Sequence, residues 1–113
     1  MSDLDRLQGS WRQTEGDDDY GAGLCTFAGD RFTVRDHDGA VMLEGTFVLD
    51  EGATPRQVDW TDATGPDAGT VLPAIYELTD TTLVFVAANA DMPRPTAFRA
   101  GDGEVLRRFV RIG

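Results

Sequence analysis

The chain contains no lysine; all ten of its basic residues are arginine. That excludes a P-loop, whose lysine reaches the nucleotide phosphates, and it excludes Schiff-base and serine–lysine catalysis. Histidine and cysteine occur once each, as His37 and Cys25, and serine only as Ser2 and Ser10. A single cysteine forms no internal disulfide, and one histidine with one cysteine cannot build a typical structural zinc site. No run comes near the roughly 18 apolar residues of a membrane-spanning helix. Positive charge is scarce as well: 20 acids stand against 10 bases over 113 residues, a net charge of −10. Nucleic-acid binding sets clustered cations against phosphates, so it is excluded, and anionic membrane surfaces are disfavoured for the same reason. The acidity reads instead as a solubility device. The opening "MSDLDRLQGSW" has no basic segment followed by an apolar core. The expectation is therefore a cytoplasmic chain without a secretory signal.

What is present is enough for one core. The length is that of one domain, 1–113, and 41% hydrophobic residues with 27% charged is globular composition rather than the pattern of disorder. Ser2 can cap a short helical turn, with Asp3 and Asp5 in its first turn, Leu4 and Leu7 on one face, and Gly9 ending it. From there the hydrophobic period becomes two. "LCTFAGDRFTVRD" reads as strand, tight turn, strand, with the turn at Ala28-Gly29-Asp30. "VMLEGTFVLD" sets Val41, Leu43, Gly45, Phe47 and Leu49 on one face, and Gly45 in mid-strand marks a bulge, a bend or a close backbone approach. "RQVDWT" turns Val58 and Trp60 inward. "AIYELTDTTLVFVAA" reads as a hairpin, and "TAFRAGDGEVLRRFVRI" as another around Gly101-Asp102-Gly103. Eight or nine short strands with frequent turns describe a sandwich or barrel. A run of hairpins leaves two exposed edges unless it closes, so the expectation is all-β, a small up-and-down antiparallel barrel. Pro73, if within a strand, belongs at an edge, a start or a bulge.

The residues offer little for catalysis. His37 lies between Asp36 and Asp38 in a turn, where it is either an exposed turn residue or a base oriented by an aspartate. Ser2 is terminal and Ser10 abuts Trp11, so a Ser-His-Asp site is hard to assemble. A Cys25–His37 pair is conceivable, although a lone thiol more often packs than reacts. Acid–base work by two carboxylates needs one of them buried, yet Glu44 and Glu77 fall on the outward parity and the inward faces read as apolar. For calcium, an EF-hand loop started at Asp36 puts Val41 at the glycine position and Phe47 at the final glutamate. Started at Asp17, it puts Ala22 and Ala28 there, so both fail. A looser calcium site at Asp17-Asp18-Asp19 is the weaker alternative to a solvated acidic loop. No catalytic residue, metal site or cofactor is expected.

"LQGSW", "FAGDRFTV", "GTFVLDEGATPRQVDWT", "AIYELTDTTLVFV" and "RPTAF" together resemble a lipocalin-like bacterial domain family of unknown function, abundant in planctomycetes. The resemblance runs from about Leu7 to the last strand and implies a calycin-type barrel with no established activity. It also implies a role for Trp11. In lipocalins a Gly-x-Trp in the first strand closes the narrow end of the barrel, with an arginine from the last strand packed across the indole. Gly9-Ser10-Trp11 matches, and Arg107, Arg108 and Arg111 are the available partners, with Arg108 and Arg111 taken as the plug candidates. A ligand-contacting Trp11 is the alternative. Two functions from different classes follow. One is a carrier or sensor holding a small apolar molecule against an inward stripe of Phe32, Phe47, Trp60, Tyr76 and Phe85, a stripe that would equally suit a filled, dry core. The other is a protein-interaction module whose acidic surface meets a basic partner through "DDDY" or "MPRPTAF". Either accommodates a homodimer.

Overall fold

The computed structural model describes residues 2–15, 23–36, 38–64, 68–89, 91–101 and 103–112. A five-residue helix, α1 (Asp3–Leu7), opens the chain; the Ser2 hydroxyl accepts from the Asp5 amide and caps it, as the sequence predicts. Its buried face differs from the expected one. Leu7 is buried together with Asp3, its neighbour one turn earlier, while Leu4 is exposed. Eight strands follow: β1 (Gly9–Glu15), β2 (Leu24–Ala28), β3 (Arg31–Arg35), β4 (Val41–Asp50), β5 (Arg56–Asp62), β6 (Val71–Leu78), β7 (Thr82–Ala88) and β8 (Glu104–Arg111). Each pairs antiparallel with the next, and β8 pairs with β1, so the meander closes into an up-and-down barrel. Closure satisfies the edges that an open sheet would present to solvent.

The two-residue rhythm sets the interior. Phe27, Phe32, Phe47, Val58, Trp60, Ala74, Tyr76, Leu78, Leu83, Phe85 and Phe109 all turn inward and are buried. Trp60 is the hub: its ring meets Phe27 at 6.1 Å, Phe32 at 5.4 Å, Phe47 at 5.6 Å and Phe85 at 4.9 Å between centroids. Such aromatic pairs each contribute about 0.5–1.5 kcal/mol beyond the area they bury. Gly45 makes room for this cluster. It pairs with Phe32 on β3 and with Asp62 on β5, and a Cβ there would run into the Thr61 carbonyl oxygen and come within 2.9 Å of the Phe32 ring. Of the three readings open to Gly45, close approach is the one realised.

The hairpin expected around Gly101-Asp102-Gly103 does not form. Residues 96–100 are not a strand but part of the 89–103 connection between β7 and β8. With β8 already paired to β1, the barrel has no edge left for a ninth strand, and Pro93 and Pro95 carry no amide donors for one. Arg94, within that connection, instead packs against the strands β5 and β6. Arg94 donates to the carbonyls of Val58 and Ala74 at 3.3 and 2.9 Å, and to Asp59 Oδ1 at 2.7 Å. Ile75 and Val86 point outward by alternation, yet they are fully buried. Pro73 sits where expected of a strand proline: β6 pairs with β5 through it, but with β7 only from Ala74 onward.

One end of the barrel is closed by α1 and Trp11. The indole is entirely buried and its Nε1 donates to the Leu7 carbonyl at 2.8 Å. The Arg111 guanidinium lies over it, 4.3 Å from the ring centroid. Arg111 also donates to the carbonyls of Gln8 at 2.9 Å, Asp80 at 3.0 Å and Arg6. The register puts Trp11 directly across from Arg111. The alternation that turns Arg107, Phe109 and Arg111 inward leaves Arg108 exposed on the outer face, so Arg108 has no place in the plug.

Three substitutions test these features. Gly45→Ala is expected to lower unfolding stability by about 2–3 kcal/mol or more, since backbone oxygen rather than a flexible side-chain tip blocks the new methyl. Arg111→Ala is expected to cost about 2–4 kcal/mol through the lost cation–π contact and three orphaned carbonyls, whereas Arg108→Ala costs less than about 1 kcal/mol. Urea denaturation of the three variants measures all of these.

Candidate functional site

The half of the barrel away from α1 is not filled. A cavity of about 250 Å³ lies there, walled by Phe27, Phe32, Trp60, Phe85 and Phe109, with Val34, Leu43, Leu72, Ala87 and Val105 nearer the mouth. It reaches the surface at Asn89, which is exposed at the start of the 89–103 connection. Alternation produces most of this wall: the lining residues on β5 and β8 are each two positions from the next, and on β7 only the terminal Ala88 breaks the step from Phe85 to Ala87.

The same alternation brings polar groups inside. Gln13 on β1, Asp62 on β5 and Arg107 on β8 line the cavity, and Gln13 and Asp62 are each only 7% exposed. Sequence reasoning missed Gln13 and Asp62 as interior residues and considered Arg107 only as a partner for Trp11. The signal was available: Asp62 continues the inward series Val58, Trp60, and Arg107 lies between inward Val105 and Phe109. Trp60 adds a further polar group, for its buried indole Nε1 meets no hydrogen-bond acceptor. A buried donor in that state costs about 1–3 kcal/mol relative to a satisfied one.

Of the five aromatic residues expected to line a cavity, the structure brings Phe32, Trp60 and Phe85 to it. Phe47 and Tyr76 are buried in the closed half instead. Tyr76 has other work: its hydroxyl donates to Asp3 Oδ2 at 2.6 Å, and Arg56 donates to the same oxygen at 3.0 Å. Burial first, then that hydrogen bond and the negative charge of Asp3 and Glu51, push the phenol well above its ordinary range. Trp11 belongs to the plug and is not among the residues lining the cavity. Glu44 and Glu77 are exposed, as their parity predicts.

Cys25 lines the cavity, but burial pushes its thiol from 9.0 up to about 12, against a smaller opposing pull from the Arg107 charge. At neutral pH it is a neutral thiol rather than a nucleophilic thiolate. His37, the Asp17-Asp18-Asp19 run and the rest of "DDDY" lie outside the described residues. Among the described residues no group of three or more His, Cys, Asp or Glu side chains could hold a metal ion, and no helix is long and apolar enough to cross a membrane. In "MPRPTAF", Arg94 is engaged by Asp59 and two backbone carbonyls, and Pro95 is buried.

A closed eight-stranded meander, plugged at one end by a helix and a tryptophan under an arginine, is a barrel of the calycin, lipocalin-like type. No family model, curated protein or solved structure matches the chain.

The buried thiol makes a prediction about pH. Below pH 9 the thiol is protonated in both folded and unfolded chains and has no effect on stability. Above it the unfolded chain ionises and the folded chain does not, so stability falls as pH rises from 9 towards 12. The loss is up to about 1.4 kcal/mol per pH unit for this one group. Urea titrations at stepped pH should show a gentler decline in Cys25→Ala, and the native thiol should resist alkylation at pH 8.

Proposed function

We propose that the chain is a non-catalytic carrier or sensor that holds a small, largely apolar ring compound in the mouth half of the barrel. The observation that carries this reading is the aromatic-walled cavity opposite the plug. A volume of about 250 Å³ corresponds to about eight waters of the bulk liquid. That suits a molecule of one or two fused rings and is small for a long acyl chain. Ring faces at Phe32, Trp60 and Phe85 favour a flat partner. The neutral state of Cys25 supports a site that binds rather than reacts.

The affiliation we infer is with the lipocalin-like bacterial domains that the sequence resembles. The Gly9-Ser10-Trp11 segment and the Arg111 contact support it, in keeping with the resemblance of the whole chain. An interaction module is the less favoured reading, since "MPRPTAF" commits Arg94 and Pro95 to the barrel's own wall.

Tryptophan fluorescence tests the proposal. Trp60 is in the cavity wall and Trp11 is not, so a bound ring compound should quench Trp60 selectively, with the signal retained in Trp11→Phe. Ala87→Phe places a ring in the cavity at a cost of about 1–3 kcal/mol, and it should abolish the quenching while the far-ultraviolet circular dichroism is unchanged. Equal binding by wild type and Ala87→Phe, or no response to a panel of aromatic compounds and fatty acids, defeats the proposal.

A further inference from the structure

The outer surface of the barrel divides by charge. Alternation turns Arg12 outward on β1, Arg31 and Arg35 on β3, and Arg108 on β8. Among the described side chains of β8, β1, β2 and β3, the only outward carboxylate is Glu104 at the start of β8, and it accepts from the Gly101 amide at 2.8 Å. On β4 to β7 the pattern is reversed: the charged side chains that point outward are Glu44, Asp50, Asp59 and Glu77. A chain with a net charge of −10 thus keeps one arginine face. Arg12 pairs with Leu24, and Leu24 with Arg35, so these two arginines stand in one row, two strand spacings or about 10 Å apart. Arg31 lies four residues from Arg35 on β3, about 13 Å along the strand. Arg6, Arg56 and Arg94 each have a carboxylate partner. Among the described residues Arg12, Arg31 and Arg35 form no ion pair. Asp30 precedes Arg31 without pairing to it, and Asp36, beside Arg35, accepts from the amides of Asp38 and Ala40.

We propose that the outer face of β8, β1, β2 and β3 docks a short acidic segment of a partner protein, with Arg12, Arg31 and Arg35 taking its carboxylates. The surface is separate from the cavity, and the proposal stands whether or not the cavity binds a ligand. The closed barrel leaves no edge for an added strand, so docking runs through side chains. A guanidinium presents a planar fork that matches a carboxylate with two parallel hydrogen bonds. In an extended segment, side chains four residues apart share one face and are about 13 Å apart, which is the spacing of Arg31 and Arg35. The half-buried Leu24, between Arg12 and Arg35, gives the segment an apolar contact at the centre. Length decides against other polyanions. Charges beyond about 8 Å are largely screened at physiological salt, so a few acidic residues feel the arginines alone. A nucleic acid or an anionic bilayer reaches past the face and meets the acids of the remaining surface.

Fluorescence anisotropy with a labelled hexaglutamate peptide tests this, with hexaglutamine as the neutral control. Hexaglutamate should bind at low salt and weaken steeply as salt is raised; hexaglutamine should not bind. The variant Arg12→Gln/Arg31→Gln/Arg35→Gln should bind hexaglutamate at least about tenfold more weakly. A second variant, Val48→Glu/Val71→Glu/Arg99→Gln, lowers the net charge by the same amount at exposed positions outside the face and should bind nearly as the wild type does. All six positions are at the surface away from the core, where substitution changes stability little, and far-ultraviolet circular dichroism checks that both variants are folded. The proposal is overturned if hexaglutamate fails to bind at low salt, if hexaglutamine binds as well, or if the two variants lose affinity equally. It is overturned too if a thymidylate oligonucleotide or phosphatidylglycerol vesicles bind more tightly than the peptide, or if the arginines prove to hold a second copy of this chain, seen as a salt-sensitive dimer that the first variant abolishes.

Discussion

The closure of this barrel depends on one side chain, Arg111, lying on one ring, Trp11. The guanidinium gains from the indole face beneath it, and its donors go to backbone carbonyls of three separate segments: α1 at Arg6, the α1–β1 junction at Gln8, and the β6–β7 turn at Asp80. Arginine suits this position in a way lysine would not, because a planar fork can stack on a ring and donate in several directions together. The remaining turns at this end are held by the same short helical segment. Gln8 exchanges hydrogen bonds with the backbone of Gly29 in the β2–β3 turn, and the Asp3 amide donates to Glu51 in the β4–β5 turn. A five-residue helix is far too short to be stable alone. Here it is fixed by contacts to all three hairpin turns below the barrel, and in turn it fixes them.

With one end secured in this way, the molecule divides into two halves that meet at Trp60. Below it Phe47, Tyr76, Leu78, Leu83 and Val58 are all buried, and the buried acid Asp3 is met by Tyr76 and Arg56. Above it the interior opens. Trp60 touches aromatic rings on β2, β3, β4 and β7, so it transmits the rigidity of the closed half into the wall of the cavity. Gly45 is the concession that lets this hub and Phe32 fit beside the Thr61 carbonyl.

Most of the fold was legible in the sequence because a two-residue hydrophobic rhythm is a local property. "VMLEGTFVLD" and "RFTVR" carry it plainly, and the turn at Gly29 and the cap at Ser2 are marked by the residues those conformations need. What failed was non-local. Nothing in "TAFRA" says that β1 has already taken the edge to which a further strand would pair, and nothing near Arg94 says that its partner is Asp59, 35 residues earlier. The choice of Arg111 over Arg108 depends on the β1–β8 register, which is fixed only when the ring closes. The site was legible in part. Phe32, Trp60 and Phe85 follow from parity, but parity does not say at which height each residue sits, so Phe47 and Tyr76 could not be told apart from them. Asp62 was passed over because a charged residue beside an apolar stripe reads as the end of a strand rather than as its continuation, and Arg107 was weighed only as a partner for Trp11.

That last error bears on what the mouth half is for. If folding stability alone shaped the interior, larger apolar side chains would close the cavity. Leu72, Ala87 and Val105 leave space that bulkier residues would fill, and Trp60 keeps an N–H that a phenylalanine would not have. Each of these choices forgoes packing or a hydrogen bond in the interior. The space and the polar lining of the mouth half set it apart from the apolar packing around Phe47 and Leu83, and the proposed binding reading rests on that difference.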